Sequence, residues 1–328
     1  MKKTALYALL LLVITLILPL FLSSYGIFLT TEIYIMAVFD MSFGLIMGYA
    51  GLVSLGHAAF FGIGAYTVAI LGDYVGNTYV LLICAILLSA LIAFISGYFF
   101  IRVSQFYFLM ITLAFGQLLY ALIWQLKPIT GGADGRSVSP VLNFGWGNLL
   151  DPVHIYYVTA VLFVLVYFIL RLFVHSPLGQ TIKGVMENES RMKMLGYNAD
   201  AYKLVAYTFS GAVAGVAGAI YAYYNVFVSP ELVAWLFSGQ VLVMVIVGGM
   251  GTLLGPAVGA GFFVLLQNYM STYTERWMLI MGIIFIFFVI VGRGGLIHLV
   301  MAIWERIKPG HKRSAKKEIN QSESGGIT

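Results

Sequence analysis

Charge is scarce in this sequence. Aspartate, glutamate, lysine and arginine make up 9% of its 328 residues, whereas 61% are hydrophobic. Soluble globular domains carry about 25% charged residues, so a water-soluble enzyme is excluded. Apolar runs continue from Ala5 to Val300, which also excludes a single membrane anchor. The composition therefore predicts a polytopic membrane protein.

Cysteine and catalytic motifs are also nearly absent. Cys84 is the only cysteine and lies within an apolar run, which excludes disulfide frameworks and thiolate metal sites. The sequence contains no HExxH, GxSxG, CxxC or GxxxxGK[ST] pattern. We therefore predict no catalytic residue, no metal site and no ATP site of the phosphate-loop type in this chain.

The net charge of +5 does not indicate a nucleic-acid partner, because the basic residues fall at the ends of apolar segments. Lys2 and Lys3 precede the first apolar run, which resembles a signal peptide. No small-x-small cleavage pattern follows Leu22, so we interpret this run as an uncleaved first span.

Apolar runs bounded by charge, glycine, proline or asparagine predict an all-α bundle of about ten transmembrane helices, with a range of eight to ten. Two pairs, the second with the third and the eighth with the ninth, are short and joined by glycine-rich stretches. Each pair consists either of complete spans or of broken, re-entrant helices. The ten candidates are Ala5–Leu22, Ile33–Ala50, His57–Leu71, Tyr79–Ile101, Ser104–Trp124, Val153–Phe173, Leu204–Tyr224, Gly239–Val247, Pro256–Met270 and Trp277–Val291.

The basic residues predict the orientation. With the N-terminus inside and ten alternating spans, 15 of the 18 lysines and arginines lie inside, which places both termini in the cytoplasm. Residues 1–307 then form one transmembrane domain with an external loop at 125–152 and a basic internal loop at 175–203. Residues 308–328 are charged and rich in serine and glycine, which is typical of a disordered tail.

The internal loop has the composition of a short amphipathic helix. Ser176-Pro177 is a good helix start, Gln180 to Leu195 contains few breakers, and Gly196 ends the helix. Its apolar edge either lies on lipid headgroups or inserts into a groove of a soluble partner, and composition does not separate these. The edge residues are Met186, Met192 and Leu195.

Glycine spacing suggests two further features. GYAGLVSLG (Gly48, Gly51, Gly56) and GGMGTLLGP (Gly248, Gly251, Gly255), about 200 residues apart, have similar glycine spacing. Short, glycine-interrupted spans in two halves of a chain point to a transport pathway, although glycine is also common at helix contacts in membranes. The next feature is a small-residue stripe on the seventh span, which predicts close helix packing. It consists of Gly211, Ala214, Gly215, Ala217 and Gly218.

Five ordered blocks carry a family resemblance over nearly the whole chain except its tail. They resemble the permeases of branched-chain amino-acid ABC importers, most closely the second of the two permease types. The blocks are GYAGLVSLGHAAFFGIGAY (Gly48–Tyr66), TGGADG (Thr130–Gly135), ENESRMKMLGYNADAYKLVAYTFSGAVAGVAGAIYA (Glu187–Ala222), GGMGTLLGPAVGA (Gly248–Ala260) and GRGGL (Gly292–Leu296).

The resemblance implies a permease subunit in the inner membrane of a prokaryote. Its partners would be a second permease, two cytoplasmic ATPases that hold ATP and magnesium, and an extracytoplasmic binding protein. Relatives also import urea, short amides and other amino acids, so the substrate rests largely on the binding protein. Gly44 and Arg136 depart from residues usual in the family. The implied ATPase-coupling helix carries Glu187, Asn188, Glu189, Arg191, Leu195 and Gly196.

Fourteen residues are candidates for the pathway, its helix breaks and the external loop. Asp40 lies within a predicted span, where a carboxylate is costly. It either forms a proton relay with His57 or is a neutral group hydrogen-bonded to a neighbouring helix. For His57, helix capping or an interface contact is favoured over metal binding. The set is Asp40, Gly48, Gly51, Gly56, His57, Gln240, Gly248, Gly251, Gly255 and Pro256, with Gly131, Gly132, Asp134 and Gly135 in the external loop.

Uncharged polar residues in the spans allow two interpretations. They line a pathway for a zwitterion, or they hold helices together through hydrogen bonds. The residues are Gln117, Gln240, Gln267 and Asn268. Two other functional classes also stay open at this point. One is a proton-coupled carrier that uses Asp40 and His57, and the other is a membrane-bound enzyme, for which no catalytic cluster is found.

Overall fold

The computed structural model describes Thr15 and residues 18–138, 151–291 and 295–296. Most of the predicted first span, the predicted disordered tail and most of the GRGGL block lie outside these residues. The regular secondary structure of the described residues is helical apart from one two-residue strand pair. Its helices are α1 Ser24–Gly48, α2 Ala58–Leu71, α3 Thr78–Phe100, α4 Gln105–Gln125, α5 Lys127–Thr130, α6 Pro152–His175, α7 Pro177–Glu187, α8 Glu189–Met194, α9 Ala199–Asn225, α10 Trp235–Gly248, α11 Leu254–Tyr273 and α12 Trp277–Val291.

Helix α1 is the central helix and packs against α6, α9, α10 and α11. The predicted span began at Ile33, but the helix begins nine residues earlier, at Ser24. Thr30 and Thr31 donate hydrogen bonds to the carbonyls of Gly26 and Ile27, four residues back. These bonds satisfy the threonine hydroxyls within the helix. The helix therefore continues through Thr30 and Thr31, although these polar residues lie outside the predicted apolar run.

Helix α2 is short and follows an irregular segment, residues 49–57, that is buried in protein. Irregular backbone at membrane depth is tolerated only where protein satisfies its polar groups. The Leu55 N–H donates to the Thr112 hydroxyl at 3.2 Å, and the Ala58 N–H donates to the Ser238 hydroxyl at 2.9 Å. The third predicted span is therefore a short helix of 14 residues, preceded by an irregular segment that other helices hold through hydrogen bonds.

The predicted small-residue stripe is confirmed as a packing surface. Helix α9 lies against both α2 and α3. A methyl group on Gly211 would lie 2.5 Å from Ala93 of α3, and one on Gly218 would overlap the Phe61 carbonyl of α2. Only glycine allows these backbones to approach so closely.

Five of the described helices are long and apolar enough to cross a membrane: α1, α3, α4, α6 and α9. Shorter apolar helices cover Ala58–Leu71, Trp235–Gly248 and Trp277–Ile286. Helices α3 and α4 leave much of their apolar surface exposed, which suits contact with lipid. The seventh and eighth predicted spans were each too short at the N-terminus, because α9 begins at Ala199 after its Asn198 cap and α10 begins at Trp235.

The predicted internal helix is wrong in one respect. Gln180–Leu195 is not one helix, because α7 ends at Glu187 and α8 begins at Glu189. Asn188 is extended, and its side chain accepts a hydrogen bond from the Arg191 N–H at 2.9 Å. A cap of this kind starts a new helix and turns the chain. Gly196 does end the second helix, at φ +87°.

Candidate translocation and coupling sites

The internal loop contacts the first glycine-rich segment. The Gln105 side-chain amide donates to the Gly51 carbonyl at 2.6 Å. A methyl group on Gly51, which has a φ of +69°, would lie 2.9 Å from the Met186 Cγ of α7. Residues 49–57, which precede α2, are therefore in direct contact with α7, and a movement of α7 would displace them.

A polar cavity of about 500 Å³ opens beside this contact. Its charged lining includes both acids and bases, and three of these residues form ion pairs. Glu189 accepts from Lys203 at 2.6 Å and from Lys193 at 2.7 Å. These hydrogen bonds, Lys193 first, lower the pKa of Glu189 below its ordinary value of 4.5, and the same carboxylate raises the pKa of Lys193. Glu189 thus joins α8 to the start of α9.

The tip of the loop is apolar and exposed. Met194 is 82% exposed, Leu195 67% and Tyr197 41%. Their neighbours Glu187, Asn188, Arg191 and Gly196 are exposed as well. The predicted coupling residues are therefore exposed, except Glu189, which is half-buried and pairs with Lys203. Sequence reasoning missed Met194 and Tyr197, because the predicted continuous helix gave them no common face.

The two glycine-rich segments meet in space. A methyl group on Gly48 would lie 3.0 Å from the Gly251 amide nitrogen, and the Tyr49 hydroxyl donates to the Gly251 carbonyl at 3.3 Å. Pro256 packs one turn away against Gly44. A methyl group on Gly44 would lie 2.5 Å from the Pro256 Cγ, so this contact leaves no room for a side chain. The structure thus brings together Gly48, Gly51, Gly248, Gly251, Gly255 and Pro256, all of which were candidate pathway or helix-break residues.

His57 is fully buried in an aromatic cluster. Its ring stacks on Phe39 with centroids 5.6 Å apart, and its Nε2 lies 2.9 Å from the Ser42 hydroxyl and 3.5 Å from that of Ser210. Ser42 and Ser210 already donate to the Phe39 and Ser42 carbonyls, which favours Nε2 as the donor. His57 is the N-cap residue of α2, as one of the two predicted roles has it, but its side chain makes no cap bond.

Asp40 is fully buried, and neither carboxylate oxygen has a hydrogen-bond partner among the described residues. Both sequence-based interpretations of Asp40 required a partner. No hydrogen bond to a neighbouring helix is present in the described part of the chain, and His57 pairs with serine hydroxyls instead. Asp40 lies one turn before Gly44, on the face of α1 that packs against Pro256 of α11.

The uncharged polar residues differ in their roles. Asn268 donates to the Val264 carbonyl at 3.0 Å and accepts from Tyr25 of α1 at 3.4 Å. It therefore holds α11 to α1, as the packing interpretation predicts. Gln240 is half-buried on α10, one residue after Gly239, around which there is open space.

The predicted external loop is held by backbone geometry and one ion pair. Gly131, Gly132 and Gly135 all have positive φ, and a methyl group on Gly131 would overlap the Gly135 carbonyl. Asp134 is exposed. Arg136 donates to Asp73 at the end of α2 and to the Ile129 carbonyl. Strand β1 (Arg136–Ser137) pairs antiparallel with β2 (Phe227–Val228), which follows α9.

One membrane-embedded acid was missed. Glu32 is the ninth residue of α1 and is half-buried. It stands one residue before the predicted span and was therefore counted as part of a loop. One turn before it, the Phe28 carbonyl accepts a hydrogen bond from the Tyr224 hydroxyl of α9 at 3.1 Å. The signal that could have found Glu32 is the apolar group Ile27, Phe28 and Leu29 shortly before Ile33.

A comparison with known protein families identifies the family of this chain. The family described as branched-chain amino acid transport system / permease component matches residues 24–289. The chain belongs to this permease family. The match contains every candidate site residue and excludes the predicted tail. No solved structure matches the chain.

Several curated relatives are similar to this permease along most of their length. The chain is 32% identical to the high-affinity branched-chain amino acid transport system permease protein LivM of Salmonella typhimurium, over 85% of the chain and 72% of the relative. It is 31% identical to Escherichia coli LivM with the same coverage. A probable LivM of Methanocaldococcus jannaschii is 25% identical over 76% of the chain and 82% of the relative.

Family membership makes this permease a multi-pass transport subunit rather than an enzyme. Within the described ranges, no group of three or more histidine, cysteine, aspartate or glutamate side chains is placed to hold a metal ion.

Proposed function

We propose that this permease is the membrane subunit of an ATP-driven importer of the branched-chain amino acids leucine, isoleucine and valine. The similarity to LivM proteins over most of the chain supports this substrate class. The alternative is a permease of the same family that imports urea or short amides. A transport assay distinguishes the two.

The complex contains a second permease, two cytoplasmic ATPases and an extracytoplasmic binding protein. ATP and magnesium are held by the ATPases. The exposed apolar tip formed by Met194, Leu195 and Tyr197 is the ATPase docking surface. Exposed apolar patches beside charged residues are typical of protein interfaces.

The complex lies in the inner membrane of a prokaryote, with ten spans in this permease and both termini in the cytoplasm. The described helices support this topology. Gly51, Gln105 and Met186 meet at one end of the bundle, which carries the basic internal loop. Asp73, Arg136 and Val228 meet at the other end.

The mechanism follows from the contact between α7 and the inserted segment. An ATPase that binds ATP and moves the α7–α8 loop displaces Met186. That displacement moves Gly51 and the buried segment before α2, and it biases the permease between inward-open and outward-open states. The contact between Gly51 and Met186 is the observation that carries this coupling route.

The docking surface is tested by Met194→Asp combined with Leu195→Asp. We expect the ATPase to be lost from the purified complex, while the double variant still inserts in the membrane at wild-type levels. Tyr74→Asp is the matched control, because Tyr74 is 81% exposed at the opposite end of the bundle. Retention of the ATPase and of uptake in the double variant would contradict the assignment.

The substrate class is tested in proteoliposomes that contain the whole complex. Import of labelled leucine, isoleucine and valine is compared with import of urea and acetamide, each with the complex's own binding protein. We expect ATP-dependent import of the three amino acids only. A preference for urea or the amide would assign the permease to the alternative class.

A further inference from the structure

Glu32 is an ionisable group within a membrane-spanning helix. Eight residues separate it from the start of α1, which places it about 12 Å along the helix axis. It is half-buried, so part of its carboxyl group reaches the surface of the chain. Among the described residues, no hydrogen bond or ion pair involves Glu32.

The surface around Glu32 is unfavourable for contact with lipid. A carboxylate that faces lipid is costly, and such groups face a bundle interior or a water-filled path. The ion pairs of the described residues involve Asp73, Asp151 and Glu189, which all lie near helix ends. No basic residue among the described ranges therefore pairs with Glu32.

Aromatic rings lie one helical turn from Glu32. The Tyr224 hydroxyl donates to the carbonyl of Phe28, four residues before Glu32, at 3.1 Å. The Phe28 and Tyr221 rings lie 4.6 Å and 6.4 Å from the Tyr224 ring. The Tyr221 ring contacts Phe61 at 5.3 Å, and Phe61 contacts Phe237 of α10 at 5.4 Å. Carboxylates and the faces of aromatic rings are the groups that bind organic ammonium ions.

We propose that Glu32 binds the ammonium group of the transported amino acid as it passes through the membrane. The Tyr221 and Tyr224 rings complete the site, which opens on a path between this chain and the second permease. This inference rests on the proposed function and names the polar contact that the path offers to its substrate. The ammonium group is common to leucine, isoleucine and valine, so one carboxylate serves all three.

The test uses the whole complex in proteoliposomes with leucine-loaded binding protein. Leucine import and ATP hydrolysis are measured together for Glu32→Gln, Glu32→Asp and the wild type. Glu32→Gln keeps the size of the side chain and removes its charge. We expect the number of leucine molecules imported per ATP to fall about tenfold or more, the value of one charge-assisted hydrogen bond.

The other variants separate binding from structure. Glu32→Asp keeps the charge and should retain more import than Glu32→Gln. Glu275→Gln is the matched control, because Glu275 is exposed in the connection between α11 and α12, and we expect wild-type import. The second permease should co-purify with every variant in wild-type amount.

Three results would overturn the inference. Unchanged import per ATP in Glu32→Gln would show that the charge is not used. Loss of the second permease from that variant would show that Glu32 pairs with a basic residue of the partner instead. An equal fall in ATP hydrolysis and import would indicate a general structural defect. If the wild type imports no amino acid, the proposed function itself fails, and the inference falls with it.

Discussion

Gly64 of α2 and Gly215 of α9 bring two helix backbones into direct contact. A methyl group on Gly64 would overlap the Gly215 carbonyl group, and one on Gly215 would overlap the Ser89 hydroxyl of α3. Three helices therefore meet at one point in the core of the permease. Because α2 has 14 residues, fewer than the roughly 20 of a full span, this contact contributes much of what holds it in place.

Gly64→Ala should destabilise the permease. The added methyl group forces α2 away from α9, and overpacking of this kind typically costs about 1–3 kcal/mol. We expect a lower midpoint in thermal unfolding of the purified complex. Gly282→Ala in α12 is the control, because a methyl group there meets nothing within 4 Å. Equal midpoints for the two variants would contradict the close approach.

Asp40→Asn should have little effect on ATP-driven import. The carboxylate has no hydrogen-bond partner among the described residues, and the neutral amide has nearly the same shape. We expect import in proteoliposomes within about twofold of wild type, because no bond of 1 kcal/mol or so is lost. Import driven by a pH gradient without ATP, and abolished in Asp40→Asn, would instead support the proton-coupled carrier.

The sequence predicted the helices better than their breaks. The bounds of α3, α4 and α6 differ from the predicted spans by two residues or fewer, because apolar runs end where polar residues reach water. The break at Asn188 was missed, because an asparagine is compatible with either a cap or a helix interior. Glu32 was missed because Thr30, Thr31 and Glu32 form a polar run that marked the end of an apolar segment. The threonine hydroxyls bond to carbonyls of the same helix, so the helix continues through this run.

The pairing of distant segments could not be predicted from one sequence. The spacing of Gly48 and Gly251 suggested related roles, but only the fold shows that they touch. In the same way, the small-residue stripe indicated a packing face on α9 without naming Gly64 and Phe61 as its neighbours. Periodicity identifies the face of a helix, whereas its partner depends on the three-dimensional arrangement.

Arg136→Leu should loosen the external loop with little loss of global stability. It removes the ion pair with Asp73 and the bond to the Ile129 carbonyl. Both side chains are partly exposed, so we expect a loss within about 1 kcal/mol. Limited proteolysis from the external side should cleave the loop faster, whereas Arg276→Leu, which alters an exposed residue, should not change the rate. Unchanged cleavage in Arg136→Leu would contradict the role of the pair.

Glu189 should make the stability of the coupling loop dependent on pH. Hydrogen bonds from Lys193 and Lys203 lower the pKa of its carboxyl group below the ordinary value of 4.5. The carboxylate form is therefore favoured in the folded loop. Its stabilising effect is fully present above pH 4.5 and is lost as the pH falls through the lowered pKa.

Glu189→Gln removes this effect at every pH. At neutral pH we expect faster hydrogen exchange of the α8 amides than in the wild type, and the difference should disappear once the pH is well below 4.5. Comparison within each pH cancels the intrinsic dependence of exchange on acidity. Glu187→Gln is the matched control, because Glu187 is exposed two residues away and forms no ion pair with any described residue. A difference between wild type and Glu189→Gln that persists in acid would mean that the side chain acts through packing, because protonation would then leave its contribution intact.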